Sequence, residues 1–522
     1  MADSPGALAP FRHRAFAVLW VATVVANSGT WMRDVASAWV MAEIAPAPLM
    51  VALVQAAASL PMFLLALPAG ALADLFDRRR LLILVQAALG LLSLAFVALA
   101  ATGGLTPEAL LALTLLGGIG SALVAPTWQS IVPSLVPRAE LRPAVALNSL
   151  GINVSRAIGP ALGGFLLAAS GPGAAYLADA VSYLFILAAL AWWRPAARPL
   201  ATAPEGIGQS MRGGLAFALA SPELGRVLLR AGLFFLFASA PWALLPLLVR
   251  QSLGGGPDLY GLLLAAVGAG AILGAFCLPW LRRRLGTEGT MTAASLGLVG
   301  VLGSLVVVSS HALAILLLLL CGAAWITALT SLNAIAQGVL PDWVRGRGLA
   351  VYLTVFYGAM TLGSLVWGQV ASLSSVPLAL GLASGTGLAL TALGRLRPLP
   401  AGEPDLTPSN HWPEPVILAE PGDGPVLVTI RYRVAEPDRS AFLDALSRFS
   451  SERRRNGAFD WNLFEDAAVP GQFVETFLEP SWATHLRHHG RVTKADSDLQ
   501  AEVVRFHQGP ERPVVTHLLS RA

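Results

Sequence analysis

Two bundles of six membrane-spanning helices followed by a small soluble α+β domain is the architecture this sequence predicts, and three observations predict it. Of 522 residues, 55% are hydrophobic and only 13% charged, about half the charge of an ordinary soluble domain. The apolar residues gather into windows of roughly 20, the length that crosses a bilayer core. Beyond residue 397 a proline-rich stretch intervenes and the composition becomes that of a soluble domain.

Mean hydropathy is +0.65 over the whole chain. Inside lipid every backbone N–H and C=O needs an internal partner, which leaves helices or a closed barrel. The windows here are long and rich in leucine, alanine and glycine, so helices are expected. Six fall at 15–42, 49–73, 81–102, 108–132, 144–169 and 174–193, and six more at 224–249, 259–281, 289–309, 312–337, 346–371 and 376–394. The first is preceded by Pro5, Pro10, Arg12 and Arg14 and runs too long for a signal peptide, so it reads as a retained span. Between the two sets, 194–223 holds Pro195, Pro199, Pro204, Gly206 and Gly208, the composition of a linker. The expected units are a bundle over 1–193, a cytoplasmic linker over 194–223, a bundle over 224–397, a proline-rich linker over 398–425 and a soluble domain over 426–522.

The arginines orient the array. With the N-terminus inside, the inner loops and adjoining span ends hold Arg12, Arg14, Arg78, Arg79, Arg80, Arg138, Arg142, Arg194, Arg198, Arg212, Arg226, Arg282, Arg283, Arg284, Arg345, Arg347, Arg395 and Arg397, while the outer loops hold only Arg250. Basic loops stay in the cytoplasm, so both ends of the chain are expected there, in a bacterial inner membrane. The net charge of +4 follows from this placement and gives no nucleic-acid signal. Cys277 and Cys321, the only cysteines, lie in apolar runs; neither a disulfide framework nor a metal cluster is expected, and no cofactor motif is present.

The tail reads as a strand at 426–434, a helix at 437–453, strands at 458–464 and 472–478, a largely helical stretch at 481–506 and a strand at 514–518. That βαββαβ order is the ferredoxin-like arrangement. Within the membrane part, Gln129 and Pro133 of QSIVPSLVPR return as Gln337 and Pro341 of QGVLPDWVRGR, each after the fourth span of its half. Parallel repeats of this kind place a cavity at their interface near the midplane.

Three motifs carry a family resemblance. GALADLFDRRRL, through Gly70, Asp74, Arg78 and Arg79, resembles the loop signature of the major facilitator superfamily, with Leu75 and Asp77 where the general pattern has Arg and Gly. The resemblance implies a charge cluster that locks the inner gate. SRAIGPALGGFL, through Gly159, Pro160, Gly163 and Gly164, is similar to the motif of the superfamily's antiporter branch, with Ser155 in place of its upstream glycine. A proline and close-set glycines bend a helix and tighten its interface. NSGTWMRDVASAWV, RPAVALNSL and SWATHLRHHGRVTKAD complete a resemblance, over most of the chain, to the bacterial transmembrane secretion effector family. It implies efflux of a small organic molecule such as a siderophore, drug or secondary metabolite. Uptake of a small solute is the alternative, as is a membrane-anchored sensor or oxygenase acting through the tail. No Gly-x-x-x-x-Gly-Lys-Ser/Thr loop is present, so uphill movement must borrow an ion gradient.

Ionisable residues inside a span are costly and mark function. Thr23, Asn27, Thr30, Asp34 and Ser37 follow helical spacing along one face of the first span. Asp34 is either the proton-coupling group or a gate residue paired with Arg33 or another helix. Arg156 shares a stripe of the fifth span with Ser149, Asn153, Pro160 and Gly163. It calls for an anion, either a cargo carboxylate or catecholate or the Asp34 side chain. Asp179, near the outer end of the sixth span, reads as structural. Trp31, Trp242, Tyr352 and Tyr357 are candidates for an aromatic cavity or for the membrane interface, and Asn333 and Gln337 are candidate polar contacts. The tail resembles antibiotic-biosynthesis monooxygenase-like domains, which pair into barrels, so a homodimer through it is expected. Trp482, His485, His488 and His489 share one helix, but the first strand, VLVTIRYRV, lacks the asparagine of cofactor-free members. An enzyme is therefore not expected.

Overall fold

The computed structural model describes residues 6–194, 215, 217–341, 343–400, 406, 425–489, 492–509 and 511–520, without the side chains of 67, 70–75, 142, 483 and 487–489. Contacts divide the chain into two compact units, one of residues 1–202, 229–333 and 352–399, the other of 203–228, 334–351 and 400–522.

The membrane helices of the N-terminal half are α1 (Arg14–Ile44), α2 (Pro48–Leu75), α3 (Arg78–Thr102), α4 (Pro107–Ile131), α5 (Leu141–Ser170) and α6 (Pro172–Trp192). Those of the C-terminal half are α7 (Pro222–Ala238), α8 (Ala240–Gln251), α9 (Pro257–Leu305), α10 (His311–Gly338), α11 (Arg345–Leu373) and α12 (Val376–Arg395). α7 and α8 form one crossing, Pro222–Gln251. The 49-residue α9 is interrupted by Gly286, whose φ of 66° and ψ of −174° are not helical. At 1.5 Å per residue α9 is about twice the thickness of a bilayer core, so it makes two crossings. Among the described residues eleven helices are long and apolar enough to span, and they provide twelve crossings.

The boundaries have local causes. Asp77, standing where the superfamily pattern has glycine, caps α3 by accepting the Arg80 N–H at 2.8 Å. Thr106 and Ser375 cap α4 and α12 in the same way, each followed by a proline in the first turn. Gly103 and Gly171 take positive φ where α3 and α5 stop. Toward the arginine-rich loops, the N-terminal bundle is filled by Phe16, Leu19, Leu82, Leu89, Ile131 and Ile186, all buried.

In the tail, β1 (Val426–Arg433), β2 (Phe459–Glu465), β3 (Gln472–Glu479) and β4 (Val514–Leu519) form one antiparallel sheet ordered β2-β3-β1-β4. β3 pairs antiparallel with both β1 and β2, so those two run parallel on either side of it, as in a split βαβ. α13 (Arg439–Arg455) covers one face with Phe442, Leu446 and Phe449. The stretch 481–506 divides into α14 (Trp482–His489) and α15 (Lys494–Val504). The second begins at a capping box between Thr493 and Asp496, which restarts the helix. In the same unit Phe217 lies between the Trp343 ring at 5.9 Å and the Arg455 guanidinium at 5.7 Å.

Candidate functional site

A cavity of about 490 Å³ lies between the two helical halves of the first unit. Helical spacing sets what faces it. Thr23, Asn27, Thr30, Asp34 and Ser37 of α1 all line it, together with Trp31 and Arg156. From the C-terminal half come Trp242, Tyr260, Trp325, Phe356 and Tyr357.

The halves meet tightly toward the arginine-poor face. Ser59 Oγ lies 2.8 Å from Thr361 Oγ1, the Leu49 N–H donates to Ser372 Oγ at 2.9 Å, and Arg250 donates to the Ala42 carbonyl. The Trp39 and Tyr260 rings stack at 5.8 Å. A Cβ on Gly164 would lie 2.7 Å from the Gly261 Cα, and one on Gly268 would lie 2.5 Å from the Ala157 Cα. In the opposite direction the cavity reaches Gln129 and Asn148, near the arginine-rich loops.

The glycines of GPALGG divide their work. A Cβ on Gly159 would meet Trp31 and one on Gly163 would meet Met32, both on α1, whereas Gly164 abuts α9. Pro160 lies inside α5, which runs through it as one helix. Ser155, where the antiporter pattern has glycine, is fully buried and donates to the Val24 carbonyl at 2.9 Å, an interhelical bond that glycine cannot make.

Arg33 occupies the centre of the charge network. Its guanidinium donates to Asp34 Oδ1 at 3.3 Å and to Asp179 Oδ2 at 3.2 Å. Asp179 is sealed at 0% exposure and also accepts from Ser93 Oγ at 2.6 Å, whereas the Asp34 side chain keeps 41% of its surface open to the cavity. One guanidinium therefore serves two carboxylates. Asp179, in the outer part of α6, is buried within the bundle. Arg33, an ionisable residue in a span, carried a sequence signal, but only packing reveals that it is shared.

Arg156 forms no ion pair with any described acidic residue, including Asp34. Its guanidinium lies over the Trp31 ring at 5.6 Å, and its buried Nε has no hydrogen-bond partner. Asn333 is half-buried and Gln337 exposed; neither lines the cavity, and neither does the buried Tyr352. The aromatic residues Trp128, Trp325 and Phe356 and the polar Gln55 do line it. No spacing along the sequence distinguishes them from ring and amide side chains that face lipid or core.

In the loop motif, Arg79 donates from Nε to the Leu190 carbonyl at 2.8 Å and from Nη2 to the Ala191 carbonyl at 2.9 Å. Arg78 reaches the Ser130 carbonyl at 3.2 Å. Both close helix C-termini, where cations are favoured. Gly70 and Asp74 lie in α2, with side chains outside the described set. In the tail, His485 Nδ1 is 3.1 Å from Glu479 Oε2, and its ring contacts Trp482 and His517. His488 and His489 also lie outside the described side chains.

Comparison with known proteins agrees with this architecture. The chain is 29% identical over 333 residues to the enterobactin exporter EntS of Shigella boydii serotype 18, covering 63% of this chain and 78% of that protein. It is 28% identical over 361 residues to EntS of Citrobacter koseri, covering 66% and 84%. Among solved structures, a bacterial homologue of the human lysosomal transporter Spinster, inward-facing and occupied, superposes with a TM-score of 0.60 at 13% identity over 74% of this chain and 97% of that one. An inward-facing bacterial homologue of ferroportin gives 0.57 at 17% identity over 74% and 97%. The family described as transmembrane secretion effector matches residues 5–522. A cavity held between two six-helix halves, with a match that leaves almost nothing of the sequence outside it, makes this chain a member of the transmembrane secretion effector family of major facilitator transporters.

Proposed function

We propose that this transporter exports a small organic molecule of the siderophore class from the cytoplasm across a bacterial inner membrane, in exchange for protons taken up at Asp34. The observation that carries the reading is the sharing of Arg33. With both Asp34 and Asp179 ionised, one guanidinium faces two carboxylates. A proton on Asp34, the carboxylate open to the cavity, leaves a balanced Arg33–Asp179 pair. The arginine-rich face is read as cytoplasmic, with both chain ends on that side. The name of the EntS relatives supports efflux as the direction. Asn27 and Trp31 are proposed as cargo contacts. Gly70, Asp74, Arg78 and Arg79 are proposed to latch the inner face when the outer face opens.

Inverted vesicles with an imposed pH gradient and a labelled catecholate siderophore test this reading. The gradient is expected to drive cargo into wild-type vesicles. Asp34→Asn is expected to lose that stimulation while still exchanging cargo for cargo. Gradient-driven transport that survives Asp34→Asn, or net movement the other way, refutes the reading.

The tail is proposed to pair with a second copy through the uncovered face of its sheet. The strand register sets Phe459, Leu478, Leu427 and Leu518 in one row, and Phe459, Phe464, Val514 and Leu518 are all exposed. Phe464→Glu is expected to convert a dimer of the full chain in nanodiscs to a monomer by mass photometry; a wild-type monomer refutes it.

A further inference from the structure

The two walls of the cavity are chemically unlike. The N-terminal half supplies Asn27, Thr30, Asp34, Gln55 and Arg156. The other half supplies a connected set of rings: Trp242 lies 5.3 Å from Trp325, Trp325 lies 6.3 Å from Phe356, and Phe356 lies 4.6 Å from Tyr357. Such a pairing suits a molecule with one polar end and one aromatic end.

Among the described residues that line the cavity, the unpartnered polar atoms are of one kind and come from both walls. Arg156 Nε, Trp242 Nε1 and Trp325 Nε1 are buried without a hydrogen-bond partner, and all three are donors. Buried donors are normally satisfied, and a half-buried guanidinium on a largely apolar cavity wall attracts a counter-charge. The other charged groups of the wall do not supply one, since Asp34 is engaged by Arg33. The Trp31 ring beneath Arg156 steadies the guanidinium without neutralising it. Tyr357, facing Arg156 from the second half, is a weak acid that brings no formal charge at neutral pH.

We propose that Arg156, Trp242 and Trp325 form a head-group site for a cargo carried as an anion. The cargo class is an aryl carboxylate or phenolate, its charge on Arg156 and its ring against Trp325 and Phe356. The cavity volume of about 490 Å³ falls within the range that holds a drug-sized ligand. This deepens the export reading by naming a cargo class, and it rests on that reading only for the direction of movement.

The test uses the full chain in nanodiscs and three probes of one shape, 1-naphthoate, 1-naphthylmethanol and 1-naphthylmethylammonium, with binding read by calorimetry. Naphthoate is expected to bind about tenfold or more tighter than the alcohol, as a charge-assisted hydrogen bond allows, and the ammonium weakest. Arg156→Gln is expected to erase the preference by weakening naphthoate far more than the alcohol. Trp325→Phe, which keeps an aromatic ring at the position and removes the N–H donor, is expected to weaken naphthoate more than the alcohol. Equal binding of acid and alcohol, a preference for the ammonium, or a preference unchanged in Arg156→Gln overturns the proposal. If Arg156→Gln fails to fold, the ranking of the three probes on the wild type decides. An anion preference without gradient-driven transport defeats the export reading alone. Gradient-driven transport without an anion preference defeats the cargo class alone.

Discussion

Gly164→Ala should push the transporter out of the arrangement seen here and toward the one open on the arginine-poor face. A Cβ at Gly164 would sit 2.7 Å from both the Gly261 Cα and the Pro257 carbonyl oxygen. Non-bonded carbons settle at about 3.5–4.0 Å, so α5 and α9 must part by roughly 1 Å at their crossing. The obstacle is backbone, which cannot turn aside as a flexible side chain can. Overpacking of this kind costs about 1–3 kcal/mol. That cost falls on the state in which the halves touch here, so the equilibrium moves about 5- to 150-fold. The assay is labelling of Ala38→Cys, which lines the cavity, with a membrane-impermeant maleimide, after Cys277 and Cys321 have been replaced by serine. Labelling from the arginine-poor side should rise several-fold in Gly164→Ala. It should stay unchanged in Gly300→Ala, where nothing lies within 4 Å of the added carbon. A folded Gly164→Ala protein that labels like its parent refutes the argument that this contact holds the halves together.

Further outcomes are expected. Asp179→Asn removes the sealed partner of Arg33 and should lower the stability of the N-terminal bundle by about 3 kcal/mol. Ser93→Ala, which deletes the hydroxyl bonded to that carboxylate at 2.6 Å, should cost about 1 kcal/mol; thermal unfolding in detergent measures both. Arg230 is 3% exposed and donates to Glu288 at 2.7 Å and to the Gly394 carbonyl at 2.6 Å, while Glu288 also accepts the Leu399 N–H at 3.0 Å. Arg230→Ala should therefore loosen α7, α9 and the end of α12 together by about 3 kcal/mol, visible as faster hydrogen exchange in all three. In the tail, burial pushes the Glu452 carboxyl up to about 7 from 4.5, against the opposing pull of Arg453. Between those values the folded chain holds a proton that the unfolded chain has shed, so this contribution is fully present below pH 4.5 and is lost as pH rises through 7. The loss amounts to about 3 kcal/mol. Once the base-catalysed rise of intrinsic exchange with pH is divided out, α13 amides should be better protected at pH 5.5 than at pH 8, and Glu452→Gln should flatten the difference.

Much of this architecture is legible along the chain because lipid leaves so few options. Backbone groups without water must close into helices, and arginines that cannot cross the membrane mark its inner side, so the spans and their proposed orientation follow from composition. The stripe from Thr23 to Ser37 is equally local, since a helix turns about 100° per residue and five positions at that spacing must share a wall. In the tail, alternation and helical periodicity suffice for the order of elements.

Partnership is different. Arg33 meets Asp179, 146 positions away, only because α1 packs on α6, and no pattern within either helix encodes that meeting. Gly163 and Gly164 are adjacent and identical as letters, yet one abuts α1 and the other α9, a distinction that exists only once two helices lie on either side of α5. Trp242, Trp325 and Phe356 come from three separate helices, and their common wall arises from the way those helices are set side by side. Periodicity along one chain segment fixes which way a side chain points; what it meets there is decided by the neighbouring segment, and that is a property of the packed protein alone.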